Sequence, residues 1–335
     1  GHPEQALAAA RRVAERLARA GAPRDAARSF EACVRLAKAA RAPDSERWAL
    51  LARWVEQQVL SGDLDAALAV ARSAGAPDQS PEAAELAFFE GKALEHLGRY
   101  AEAAEAFRRA EGGSLKRLRG ARVGSAWMSV KLGDVTGGLA QLGLLAVPRG
   151  DAREDSEALR LFGNALLRAE RLPEAEKALE EARALAEEAG DEAAEVDAIN
   201  GLAARAYYAG DLDGAARRFK AAMKLAERGQ LLQHQSVIEN NLGEIQLALG
   251  DALGALATLG RARARHRRLG SDEGIADVGR IESAAHLAAG DRDAAIRVAE
   301  ESLEAARRTG SASLIAASVE ALDRAVSAPV KPPAE

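Results

Sequence analysis

A short punctuation mark recurs along this chain and limits its fold more than any other feature. A glycine, mostly followed by aspartate, stands five residues ahead of an alanine or a second glycine. It occurs at Gly62-Asp63, Gly98-Arg99, Gly133-Asp134, Gly210-Asp211, Gly250-Asp251 and Gly290-Asp291, with weaker forms at Gly21 and Glu170-Arg171. Successive marks lie 41, 36, 35, 37, 40, 40 and 40 residues apart. A near-constant period of this size is the signature of a repeat array. Glycine tolerates the left-handed backbone that ends a helix, and the aspartate can accept from the free N–H groups that open the next one. Pro173, just past the fifth mark, suits the first turn of a helix, where its missing N–H costs nothing. Each mark is therefore expected to be a tight turn between two antiparallel helices.

The flanking residues keep step with the marks. Seven residues before each stands a mostly small side chain: Ala14, Val55, Gly91, Ala126, Gly163, Ala203, Gly243 and Ser283. Five after stand Ala26, Ala67, Ala103, Gly138, Ala175, Ala215, Ala255 and Ala295. Nine after stand residues that are mostly larger, among them Phe30, Phe107, Leu142, Leu179, Phe219 and Leu259. Small residues at fixed places let two helices approach closely, and the larger one fills the space toward the next repeat. Apolar residues make up 48% of the chain but aromatics only 4%, so much of the apolar share is alanine, the best helix former. Runs of alternating β-branched residues are nearly absent. The expectation is all-α.

The stretches 87–110 (AFFEGKALEHLGRYAEAAEAFRRA) and 240–262 (NNLGEIQLALGDALGALATLGRA) resemble tetratricopeptide repeats almost position by position. The period near 40 is similar to the longer-helix variant of that family, found in cytoskeletal adaptors, kinesin light chains and bacterial regulators. The resemblance covers roughly residues 3–308, with repeats two, four and eight degenerate. It implies a right-handed α-solenoid of about eight helix-turn-helix repeats. The run 311–326 reads as a helix capping the last repeat, since a solenoid end must be covered. The expected organisation is repeats one to four over 3–146, repeats five to eight with the cap over 152–326, and a disordered proline-rich tail at 327–335. Gly133, Gly137, Gly138 and Gly143 suggest a soft joint at repeat four.

In that family the first helices line a concave groove that takes a partner segment. Its groove positions map here onto Arg160, Asn164, Leu167 and Arg168; Asn200, Tyr207 and Tyr208; Asn240, Glu244 and Leu247; and Arg280 and Leu287. Asparagine can both donate to and accept from a peptide backbone, arginine can hold a carboxylate bidentately, and tyrosine offers a broad face with a polar tip. Asn200 and Asn240 lie one 40-residue period apart, so both are expected to grip the backbone of one extended segment. Arg160 and Arg280, at the corresponding places, would favour acidic residues in it. Arg160, Asn164 and Asn200 partly match the family's clamp for a C-terminal carboxylate, but Glu244 stands where that clamp has a cation.

Other function classes find little support. Net charge is −5, from 46 basic and 51 acidic residues, which argues against a dedicated nucleic-acid binder. The arginines from Arg261 to Arg268 and the carboxylates from Glu174 to Asp197 read as solvated helix faces. His2, His96, His234, His266 and His286 show no ligand spacing. Cys33, the single cysteine, falls at a packing position. No catalytic residue, metal or cofactor is expected. The reading is a protein-binding scaffold in a bacterial cytoplasm, a monomer or member of a larger complex, with no membrane span. The alternative is the sensory arm of a larger bacterial signalling protein. The start at Gly1-His2-Pro3 instead of methionine keeps that open.

Overall fold

The structure is a computed structural model, and it describes residues 3–19, 22–77, 80–112 and 115–329. The first mark, at Gly21, and the end of the tail, 330–335, lie outside the described residues. Among those described there are seventeen α-helices and no strand. The chain divides into two compact units, 1–125 and 126–335. The division falls inside a helix, some twenty residues ahead of the loop at 146–151.

The N-terminal unit holds α1 (Pro3–Arg19), α2 (Pro23–Ala39), α3 (Asp44–Ser61), α4 (Leu64–Ser73), α5 (Pro81–His96), α6 (Tyr100–Glu111) and the first part of α7 (Leu115–Leu132). Each helix packs against the next as helix-turn-helix pairs. Phe107 shows how the small residues work. Its ring is fully buried between Gly91 of α5 and Gly124 of α7, and a Cβ on either glycine would meet the ring at 2.8 Å.

The C-terminal unit continues from α7 through α8 (Val135–Leu145), α9 (Ala152–Arg168), α10 (Leu172–Glu188), α11 (Glu192–Tyr208), α12 (Leu212–Arg228), α13 (Leu232–Ala248), α14 (Ala252–Leu269), α15 (Asp272–Ala289), α16 (Arg292–Thr309) and α17 (Ala312–Ser327). The packing register read from the marks holds. Ala126, Ala175, Ala203, Ala215, Ala255 and Ala295 have no exposed surface, nor do Leu142, Leu179 and Leu259. Leu179 repeats the arrangement of Phe107: a Cβ on Gly163 of α9 or Gly201 of α11 would meet it at 2.7 Å. The mark glycines Gly133, Gly210, Gly250 and Gly290 all have positive φ. The carboxylates of Asp134, Asp211, Asp251 and Asp291 accept from the backbone N–H three residues on. Glu170 takes the left-handed place without being a glycine, at φ 60°.

Left-handed residues also separate one repeat from the next. With the marks inside the repeats they form one series, Glu170, Gly190, Gly210, Gln230, Gly250, Gly270, Gly290 and Gly310, one every twenty residues. First and second helices are therefore equal in length here, which accounts for a period of 40. Two of the four glycines of repeat four are closely packed, while a Cβ on Gly133 would meet nothing within 4 Å. Gly137 leaves room for the capping carboxylate of Asp134, and a Cβ on Gly138 would lie 2.7 Å from the Ala126 carbonyl oxygen. The cap is present: α17 packs on α15 and α16.

Candidate partner-binding face of the C-terminal unit

In this unit α9 packs on α11, α11 on α13, α13 on α15 and α15 on α17, while the second helices α10, α12, α14 and α16 do not approach one another comparably. Closer spacing along one edge of a stack bends it toward that edge, so the first helices form the inner, concave side. The end of α7 reaches the far end of this row. Lys131 pairs with Glu273 of α15, and its carbonyl accepts from the Ser311 hydroxyl that caps α17, at 2.9 Å. The end of α7 is thus tied to the last inner helices by a contact spanning 180 residues.

Polar side chains join the inner helices as rungs, and most rungs follow one rule. They link residues 37 apart, a full period less about one helical turn. Arg160 lies 3.6 Å from Asp197, Asp197 lies 3.3 Å from His234 Nε2, and Asn240 donates to Asp277 at 2.8 Å. Tyr207 and Glu244 influence each other electrostatically on the same spacing. A second spacing, 41, joins the Asn241 amide to the Asn200 side-chain oxygen at 3.0 Å. Arg280 closes the set, 3.1 Å from Asp277 and 3.9 Å from Glu244.

Each expected groove residue therefore has a definite place. Asn164 is half-buried beside Gly201. Asn200 is half-buried and already accepts one hydrogen bond. Asn240, by contrast, is 4% exposed, and its side-chain oxygen has no partner; it ties α13 to α15. Arg160 is neutralised by Asp197 of the neighbouring inner helix, and Arg280 by Asp277 of its own helix with Glu244 of α13 further off. Tyr207 and Tyr208 meet edge to face with centroids 5.8 Å apart. Tyr207 leans into the core, whereas Tyr208 is 62% exposed. Arg168 lies over the Trp127 ring at 6.0 Å and, among the described residues, has no ion pair.

The electrostatics follow from crowding on a concave wall. Burial, reinforced by the charge of Asp277, pushes the Glu244 carboxyl up despite Arg280 nearby. Desolvation by the surrounding wall and the charge of Glu244 raise the phenols of Tyr207 and of Tyr208, the latter despite its exposed surface. Burial opposes the charge on Arg280, but Asp277 and Glu244 outweigh it and strengthen its hold on the proton. Burial likewise opposes a charged His234, and Asp197 outweighs it.

Asp197, Asn241 and Asp277 were not singled out as inner-face residues by sequence reasoning. Asp197 and Asp277 lie two periods apart, a signal the sequence did carry. The arginine run also differs from a solvated face. Arg261 and Arg265 both pair with the buried Glu239 of α13. Arg263 pairs with Glu282 of α15 at 3.2 Å, and Arg267 with Glu301 of α16 at 2.6 Å. His266, within that run, is 2% exposed. Cys33 is fully buried, and burial raises its thiol. No helix among the described residues is long and apolar enough to cross a membrane.

No family model matches this chain, and no curated protein matches it. Solved structures do. A Rap protein complexed with competence and sporulation factor superposes with a TM-score of 0.64 at 11% identity, covering 96% of this chain and 98% of that one. A tetratricopeptide repeat protein from Parabacteroides merdae gives 0.51 at 17% identity, over 84% and 99%. A signal transduction ATPase with a tetratricopeptide repeat sensor from Pyrococcus horikoshii gives 0.54 at 13% identity, over 87% of this chain and 45% of that one. With the turn geometry, the packing register and these neighbours together, the chain has the all-α tetratricopeptide-repeat fold.

Proposed function

We propose that the C-terminal unit binds a peptide or an extended segment of a partner protein along its inner face. The observation that carries this is Tyr208, a large aromatic left 62% exposed on a concave wall and bordered by charged groups of three other inner helices: Arg168, Glu244, Asp277 and Arg280. Exposed tyrosine flanked by arginine is the composition of binding hot spots. The nearby Asn200 and Asn164, both half-buried, supply polar atoms for a backbone. Arg160 and Arg280 are already paired, and Glu244 and Asp277 share one arginine, so this stretch favours a basic residue of the partner over an acidic one. The Rap structure supports the reading, because that neighbour of similar fold was solved with a bound factor. The compartment that fits is the cytoplasm, where a lone buried Cys33 meets no oxidant.

The test is affinity capture from the source cell with the intact chain and with Tyr208→Ala. Loss of a hot-spot tyrosine costs about 2 kcal/mol, roughly thirtyfold in affinity. A partner held by the parent and released by the variant supports the inner face. A partner held equally by both removes it. Asn240 is a poor choice for this experiment, because its substitution also cuts a rung between α13 and α15.

A second reading is favoured by the Pyrococcus horikoshii neighbour, in which a repeat sensor is one part of a signal transduction ATPase. In that reading this chain is the sensing arm of a longer protein. The full open reading frame decides it: an effector domain in the same frame supports the arm, and stop codons at both boundaries rule it out.

A further inference from the structure

We propose that the segment bound on the inner face carries an acidic and a basic side chain about five or six residues apart, the acidic one held at α9 and the basic one between α13 and α15. Resting on the reading of the inner face as the binding surface, this names what a partner must present to it. Tyr208 stands on a wall whose two sides differ in charge. Toward α9 its charged neighbour is Arg168. That guanidinium is exposed, lies over the Trp127 ring at 6.0 Å and, among the described residues, pairs with no carboxylate. Toward α13 and α15 the neighbours are Glu244, Asp277 and Arg280. Here two carboxylates share one cation, with Arg280 3.1 Å from Asp277 and 3.9 Å from Glu244. Both can be reached: the side chains of Glu244 and Asp277 are 30% and 39% exposed. The Asn240 amide that donates to Asp277 leaves its own oxygen without a partner, a further unanswered acceptor on this side. Other charges of the same wall are matched, Glu273 with Lys131 and Asp197 with Arg160 and His234.

A bound segment has to answer each side in turn. A guanidinium without an anion can grip a carboxylate through two parallel N–H groups. The surplus carboxylate at the other side attracts an ammonium or guanidinium, and the Tyr208 ring between them offers a face to the stem and head of a long basic side chain. The helix row sets the separation. α9 packs on α11 and α11 on α13, so α9 and α13 are two places apart. Packed helices lie about 8–10 Å from each other, which puts the two charge sites about 15–20 Å apart. An extended chain advances about 3.3 Å per residue and covers that distance in about five or six residues. A segment with one sign of charge throughout meets repulsion at one of the two sites.

Selection from a phage-displayed library of random dodecapeptides, with the intact chain as bait, tests this. Compared with the unselected library and with a Tyr208→Ala bait, the pool should be enriched in peptides that carry an acid and a base at the stated separation. The best binder is then synthesised with acetylated and amidated ends, so that only side chains carry charge. Reversing its acidic residue to lysine should weaken binding to the parent by about tenfold or more. Arg168→Glu should invert that preference and hold the lysine form about tenfold more tightly than the acidic one. Arg168→Gln, which removes the charge without reversing it, should bind the two forms about equally. Circular dichroism checks that the variants fold. Peptides that need Tyr208 but share no charge pattern, or whose acidic residue is indifferent to Arg168→Glu, overturn the proposal and leave the inner face as the binding surface. A pool held equally by the Tyr208→Ala chain, or no enrichment at all, removes both.

Discussion

Two glycines of repeat seven offer a direct measure of how much the close helix approach matters. Gly243 of α13 and Gly260 of α14 both lie inside helices, where glycine costs about 1 kcal/mol relative to alanine. Their surroundings differ. A Cβ on Gly260 would meet nothing within 4 Å, whereas one on Gly243 would lie 2.6 Å from Cγ and Cδ2 of Leu259. Leu259 has no exposed surface and so no direction of retreat. Gly260→Ala should then stabilise by about 0.5–1 kcal/mol. Gly243→Ala gains the same helix preference but overpacks a filled site, at about 1–3 kcal/mol, for a net loss of roughly 0–2 kcal/mol. A cycle with Leu259→Ala isolates the contact. Alone that change costs about 2–5 kcal/mol; in its presence Gly243→Ala should turn stabilising, because the obstructing carbons are gone. The assay is urea unfolding of the intact chain, with the slope checked beside the midpoint because neighbouring repeats can uncouple. If Gly243→Ala and Gly260→Ala raise the midpoint equally, the plug-and-glycine account of the inter-helix contact is wrong.

Two further predictions concern this unit. His266 is buried at the joint of repeats seven and eight, and burial holds its pKa below the ordinary 6.5 although Asp277, Glu273 and Glu239 face it from α15 and α13. The unfolded chain therefore takes up this proton more readily, so stability is lost as pH falls below about 6.5; urea midpoints between pH 7.5 and 5 should fall less for His266→Ala than for the parent, and parallel curves would show that His266 is not the group responsible. Glu170 and Gln230 hold left-handed places at φ 60° and 52°, so Glu170→Gly and Gln230→Gly should each stabilise by about 0.5–1 kcal/mol, read as a rise in Tm, and an unchanged or lower Tm would refute the strain.

The fold was legible because its rule concerns side-chain size at fixed distances from a turn. Ala215 and Leu259 could be placed from the marks alone, and they are buried as that register requires. The turns between repeats were harder to see. Gly190-Asp191, Gly270-Ser271 and Gly310-Ser311 carry the same chemistry as the marks, but in two cases with serine in place of aspartate and at Gln230 with no glycine at all. The inner face was only half legible. Equal spacing put Asn200 and Asn240 in one register, yet their surroundings differ. The rungs run diagonally, and 37 residues beyond Asn240 stands Asp277, while 37 beyond Asn200 stands Val237. That offset depends on how far neighbouring helices are displaced along their axes, which no count of periods contains. For the same reason the pairing of Arg160 with Asp197, and hence the loss of a free cation there, could not be anticipated.

The twenty-residue beat of left-handed turns from Glu170 to Gly310 governs how such a chain can change its length. Because inner and outer helices have the same number of residues, the backbone alone does not distinguish them; only the phase of the side chains does. Duplicating or excising 40 residues within this stretch returns every later helix to its former side and leaves each junction with a familiar neighbour. A step of 20 would also close every turn correctly, but it would carry all subsequent inner helices outward, stranding Tyr208-like and rung-forming positions on the convex side. The unit can therefore grow or shrink only in whole pairs of helices, and each added pair lengthens the inner wall by one more set of rungs.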